Sequence, residues 1–148
     1  MATFLLSVLG EGSFLNLLEF LDVHAPDPVT REITGLARRD EARHVAFGVA
    51  HLRYQADRDG QLLSKLRGAV ERRYSSLIDT AGLNADVFDS LVLLAAGGWE
   101  PGAIADGYRA VQTLQDEMDQ GRRRRLIHLG FPADEAADIS ALHTKNFM

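Results

Sequence analysis

Arg38-Arg39-Asp40-Glu41-Ala42-Arg43-His44-Val45-Ala46-Phe47-Gly48 lies inside a stretch from Pro28 to about Ala56 that has no further proline and no strand-like alternation. Such a stretch reads as one helix of roughly 45 Å at 1.5 Å per residue, a length typical of bundle helices. It therefore sets the fold class as all-α. Glu41 and His44 stand three positions apart in it, and residues at that spacing lie side by side on one helix face. A carboxylate and an imidazole so placed can grip one metal ion from a rigid support.

Upstream, His24-Ala25-Pro26-Asp27-Pro28 forms a stop and a restart, with Asp27 as the expected N-cap and Pro28 at the first helical position. An apolar helix from about Thr3 to Asp22 precedes it, so the two helices form a hairpin. Glu11 and Glu41 are equidistant from Pro26 in that turn, which puts their carboxylates level to within about one helical turn. Glu11 shares its stripe with Phe4, Val8, Leu15 and Leu18, a face that seeks the core. An isolated carboxylate there is costly or takes up a proton, and a bound cation removes the difficulty. Gly10 and Gly12 flank Glu11. Each weakens a helix by about 1 kcal/mol relative to alanine, which predicts a bulge or local space beside the carboxylate. Ala37, Gly48 and His51 share the stripe of His44; the small residues leave room for ions, and His51 is expected as a hydrogen-bonded core histidine.

Farther on, helices are expected from Gln61 to Thr80, ended by Gly82, and over a short apolar segment through Val92 to Ala95 capped by Asn84 or Asp86. Gly97-Gly98 is a break, Pro101 opens a helix to about Ile127, and Gly130-Phe131-Pro132 is a turn before a last helix from Ala133 to His143. Residues 1–57 thus make a helical hairpin carrying the candidate site, and 58–148 add further helices to the same domain. Trp99 is read as a packing residue. Arg122-Arg123-Arg124-Arg125 is read as a solvated face that complements the helix dipole.

The 148 residues are 46% apolar with a formal charge of -5 and no cysteine. The missing cysteine excludes disulfides and thiolate sites, leaving nitrogen and oxygen as metal donors. The negative charge, and arginines without interleaved aromatics, argue against nucleic acid as a partner. The first twenty residues lack the basic start of a signal peptide, and Glu11 and Glu19 interrupt their apolar run. A buried soluble helix, no membrane partner and a cytoplasmic location are the resulting expectations.

Arg39-Asp40-Glu41-Ala42-Arg43-His44, followed by Val45-Ala46-Phe47-Gly48, resembles the fourth core helix of ferritin-like di-metal carboxylate proteins. It is most similar to the branch holding the ribonucleotide reductase small subunit, the ligand-binding oxidases related to it and the acyl-carrier-protein desaturases. The resemblance spans roughly Leu5 to Leu52. It implies a ferritin-like helical bundle in which Glu11 matches the glutamate of the third core helix. Glu41 and His44 match the Glu-x-x-His of the fourth, and Asp40 an outer-shell hydrogen-bonding residue. It also implies iron, or manganese, and a dioxygen-activating oxidoreductase acting on a small molecule.

That family needs another glutamate and another Glu-x-x-His, yet no other glutamate here is followed three positions on by histidine. The chain resembles the second half of such a bundle, its third and fourth core helices plus C-terminal helices. Three accounts stay open. The chain is a truncated gene product, or it pairs with a missing N-terminal half, or it forms a homodimer in which each copy gives Glu11, Glu41 and His44. Two other functions compete with the oxidoreductase. One is a non-catalytic helical binding or scaffold protein, where Glu41 and His44 are a solvated pair; the other is a ferroxidase or iron-handling protein without an organic substrate.

Overall fold

The break ahead of the long helix forms as its residue types require. Asp27 is extended (φ -151°, ψ 161°) and its side chain accepts from the N–H groups of Val29 and Thr30, each at 2.9 Å. Pro28 then opens the helix, where its missing N–H costs nothing. The computed structural model describes residues 1–77 and 85–143, and every element among them is helical. A π-helical segment over Phe4–Glu11 runs directly into α1, Gly12–Val23, and the break leads to α2, Pro28–Ala56. The wide-turn segment ends at Glu11, where the two flanking glycines predict a bulge.

The hairpin is in the expected register. Ser7 meets Gly48, on which a Cβ would lie only 2.8 Å from the Ser7 Cβ. Nearer the turn, Glu19 pairs with Arg38 at 3.1 Å. Gly48 is buried and used up by this close approach, so it does not provide the space for ions that its place on the His44 stripe suggests.

Downstream lie α3 (Leu62–Leu77), α4 (Ala85–Ala96), α5 (Pro101–Leu129) and α6 (Ala133–His143). Gly97 (φ 60°) makes the break after α4, and Gly130 (φ 111°) ends α5 in the left-handed conformation that glycine adopts without strain. Asp86 falls in the first turn of α4. The expected helix end at Thr80 and Gly82 and the alternative cap Asn84 lie outside the described residues.

Two apolar clusters hold the helices together. Phe4, Val8 and Leu9 pack with Val45, Val49 and Leu52 of α2 and with residues of α3, α5 and α6. Phe20 of α1 joins Leu91 and Val92 of α4 and Val111, Leu114 and Met118 of α5. The first helix and α5 thus contribute to both clusters and tie the hairpin to the C-terminal helices. By length and composition Phe4–Val23 is apolar enough to cross a membrane; here Phe4, Val8, Leu9, Leu18 and Phe20 are buried within the fold. Trp99 departs from its expected packing role, being 81% exposed beyond the double glycine.

Among the described glycines, the tightest approach is at Gly107, where α5 meets α4. A Cβ there would overlap the Val92 carbonyl oxygen and lie 2.9 Å from the Ala96 nitrogen, both backbone atoms that cannot move aside cheaply. Gly107→Ala is therefore expected to destabilise the fold by about 1–3 kcal/mol. Gly102→Ala, at a helical position with nothing within 4 Å of a new Cβ, is expected to be neutral or mildly stabilising. Thermal melts followed by circular dichroism check the pair. Equal effects at both glycines would contradict the packing described.

Candidate metal centre

Side chains from two distant parts of the sequence converge on one face of the hairpin. Glu11 comes from the end of the π-helical segment, and Glu41 and His44 from consecutive turns of α2. Donor atoms of all three lie within 4.8 Å of one another. His44 Nδ1 faces Glu41 Oε2 at 3.2 Å, the side-by-side placement that their spacing dictates. Donors held around one first-row ion at about 2.1 Å each stand roughly 3–4 Å apart, so small side-chain rotations bring the trio to ligating distance.

Burial differs among the three. Glu11 is half-buried, and its Oε2 is shielded from solvent without any hydrogen-bond partner. The Glu41 side chain is 30% exposed and that of His44 is 58% exposed. The fully inward arrangement expected for the trio is thus met on the Glu11 side only, and the His44 side opens to solvent. The orphaned Glu11 oxygen is the observation that bears on a metal. A buried carboxylate oxygen with no donor loses its hydration and gains nothing in return, and a cation shared with Glu41 would supply what is missing. Two carboxylates and an imidazole form a hard, nitrogen-and-oxygen donor set that fits iron or manganese, and also accepts zinc.

The neighbours of the trio correct several expectations. Asp40 is exposed and bonds Arg43 at 3.0 Å, on its own helix, rather than His44 or Glu41. His51 is exposed and stacks on Phe47 with ring centroids 5.8 Å apart, so it is not a core histidine. On the same two helices, Leu6 and Phe14, five residues before and three after Glu11 in sequence, and Phe47, three residues after His44, are exposed apolar side chains.

The four consecutive arginines also part company. Arg123 and Arg124 are exposed as expected, but Arg122 is buried and Arg125 half-buried beneath the first helix. Arg122 donates to Ser13 Oγ and Ser140 Oγ, each at 3.1 Å, and burial pulls its guanidinium below the usual arginine range. Their i, i+3 spacing puts both on one face of α5, and Gly121 beside them leaves room for the Arg125 guanidinium. That pairing of positions is the signal by which their burial is visible in the chain.

Comparison with family models, with curated proteins and with solved structures finds no match to this chain.

An orphaned buried carboxylate penalises the metal-free fold. Replacing it by an apolar side chain of similar length, Glu11→Met, is expected to stabilise the metal-free protein by about 1 kcal/mol. Such a gain raises the melting temperature by roughly 2–4 °C for a chain of this size. A clear loss of stability would mean that the carboxylate is already satisfied.

Proposed function

We propose that this chain binds a redox-active divalent metal, iron or manganese, through Glu11, Glu41 and His44. The trio would act as one half of a ferritin-like di-metal carboxylate centre in a dioxygen-activating oxidoreductase. The observation that carries the reading is the convergence of the three donors within 4.8 Å with one Glu11 oxygen buried and unpartnered. Glu11 would supply an anionic oxygen from a face closed by the core. Glu41 would bridge toward the open face, and His44 would add a neutral nitrogen through the Nδ1 already turned toward Glu41. A redox-active metal held by these residues would supply electrons for the reduction of dioxygen. Asp40, engaged with Arg43, lends no support to an outer-shell role.

A complete centre needs a second set of donors. The exposed apolar Leu6, Phe14 and Phe47 on the helices that carry the trio support a partner that covers this part of the hairpin. That partner is either a second copy, contributing its own Glu11, Glu41 and His44, or a separate helical half with equivalent ligands. The substrate would lie between the halves. Iron oxidation without an organic substrate is the variant of this reading in which no such pocket forms.

One observation favours a second reading. With His44 mostly in water, the Glu41–His44 contact also suits a solvated surface pair on a non-catalytic helical scaffold. Metal analysis separates the two. The protein loaded with ferrous iron or manganese is expected to retain metal, and Glu11→Ala, Glu41→Ala and His44→Ala to bind it at least about tenfold more weakly. Equal metal content in all four proteins, or none in any, would reject the metal site and leave the scaffold.

A further inference from the structure

Arg125 belongs to neither the core nor the trio, yet its position is tightly prescribed. At the end of the π-helical segment the backbone N–H groups go to the carbonyls of Ser7, Leu9 and Gly10, and the carbonyl of Val8 is passed over. A wide turn inserts a residue into the helix, so one carbonyl at its junction with the α-helix is left without an intrahelical donor. Val8 is fully buried, so water does not satisfy it. Arg125 does: its Nε donates to the Val8 carbonyl at 3.0 Å.

The surroundings are shaped to admit that guanidinium. A Cβ on Gly12 would overlap Nε and lie 2.6 Å from Cζ, and one on Gly121 would lie 3.1 Å from Nη1. Keeping a cation here is unfavourable. Arg125 Nη2 is buried without a partner, and burial, with the charges of Arg122 and Arg124 beside it, pushes the group down to about 10. On the other side of the junction, Ser13 Oγ donates to the Leu9 carbonyl at 2.8 Å and accepts from Arg122. Arg125 thus holds the Val8 carbonyl directly, and Arg122 holds the Ser13 hydroxyl that donates to the Leu9 carbonyl.

Glu11 is the last residue of the wide segment. Returning that segment to an ordinary α-helix would pair the Val8 carbonyl again and turn one side of the junction by about 100° relative to the other. Either Phe4, Val8 and Leu9 would leave the core or Glu11 would swing away from Glu41 and His44. We infer that Arg125 is a positioning residue for the metal site, its hydrogen bond to the Val8 carbonyl holding the wide turn that aims Glu11 at Glu41 and His44. The inference rests on the proposed metal binding, but it concerns a different residue and a different contact.

The test is a titration with manganese(II) chloride, reading free manganese by electron paramagnetic resonance. It compares the full chain with Glu11→Ala, Arg125→Met, Arg125→Lys and Arg124→Met. Arg125→Met removes the donor while keeping a long side chain, and is expected to weaken binding by about tenfold or more. Arg125→Lys keeps a cation and a donor and is expected to recover part of that loss; Arg124→Met, an exposed neighbour, is expected to match the parent. Amide hydrogen exchange on the same proteins is expected to accelerate in Arg125→Met at residues 9–13, while α5 and α6 stay protected. Should Arg125→Met not fold, Gly12→Ala carries the test, since its Cβ expels the guanidinium with Arg125 present, and weakened binding is again expected. Binding lost in Glu11→Ala but kept at parental strength in a folded Arg125→Met or Gly12→Ala overturns the positioning role and leaves the metal site standing. No binding by the parent overturns both.

Discussion

Glu11 and Glu41 reach one another across a helical hairpin that leaves them little freedom to separate. Donor atoms of two carboxyl groups and an imidazole lie within 4.8 Å of one another, and one Glu11 oxygen is shut off from water. The segment carrying Glu11 is anchored by Phe4, Val8 and Leu9, all fully buried, and the segment carrying Glu41 and His44 by Val45, Val49 and Leu52. Relief by moving a helix would expose those residues, at about 25 cal/mol for each Å² of apolar surface returned to water. Packing therefore holds the three donors together and keeps the unpartnered Glu11 oxygen from reaching water. The cation proposed for this site would give the unpartnered Glu11 oxygen its missing partner.

The C-terminal helices take part in this enforcement. Arg122 links Ser13 to Ser140, and Ser140 in turn donates to Asp119 at 2.6 Å. Arg125 reaches the Val8 carbonyl. Buried polar contacts of this kind are high-stakes, since breaking one partner strands the other away from water. Their concentration against the residues on either side of Glu11 gives α5 and α6 a stake in the geometry of the trio as well as in the core.

Much of this was legible in the residues because it depends on local chemistry. Asp27-Pro28 starts α2 through a side-chain cap and a missing N–H, and Gly130 ends α5 through a positive φ, both short-range effects. The level placement of Glu11 and Glu41 follows from counting outward from the turn, and the glycines beside Glu11 pointed to the wide turn. What was not legible depends on contacts between distant helices. Gly48 reads as open space on its own helix but faces Ser7 on another. His51 reads as a core histidine and Trp99 as a packing residue, yet both are exposed, His51 touching only the ring of Phe47 among the aromatic contacts of the described residues. Four arginines in a row read as a solvated face because composition dominates the impression. Only their i, i+3 spacing and the facing glycines separate the two that turn inward.

The account is tested most directly by crystals grown with manganese and measured on both sides of its absorption edge. An anomalous peak at bonding distance from Glu11, Glu41 and His44 together is the predicted result. A well-ordered trio with no peak, or a peak held by other side chains, would contradict it.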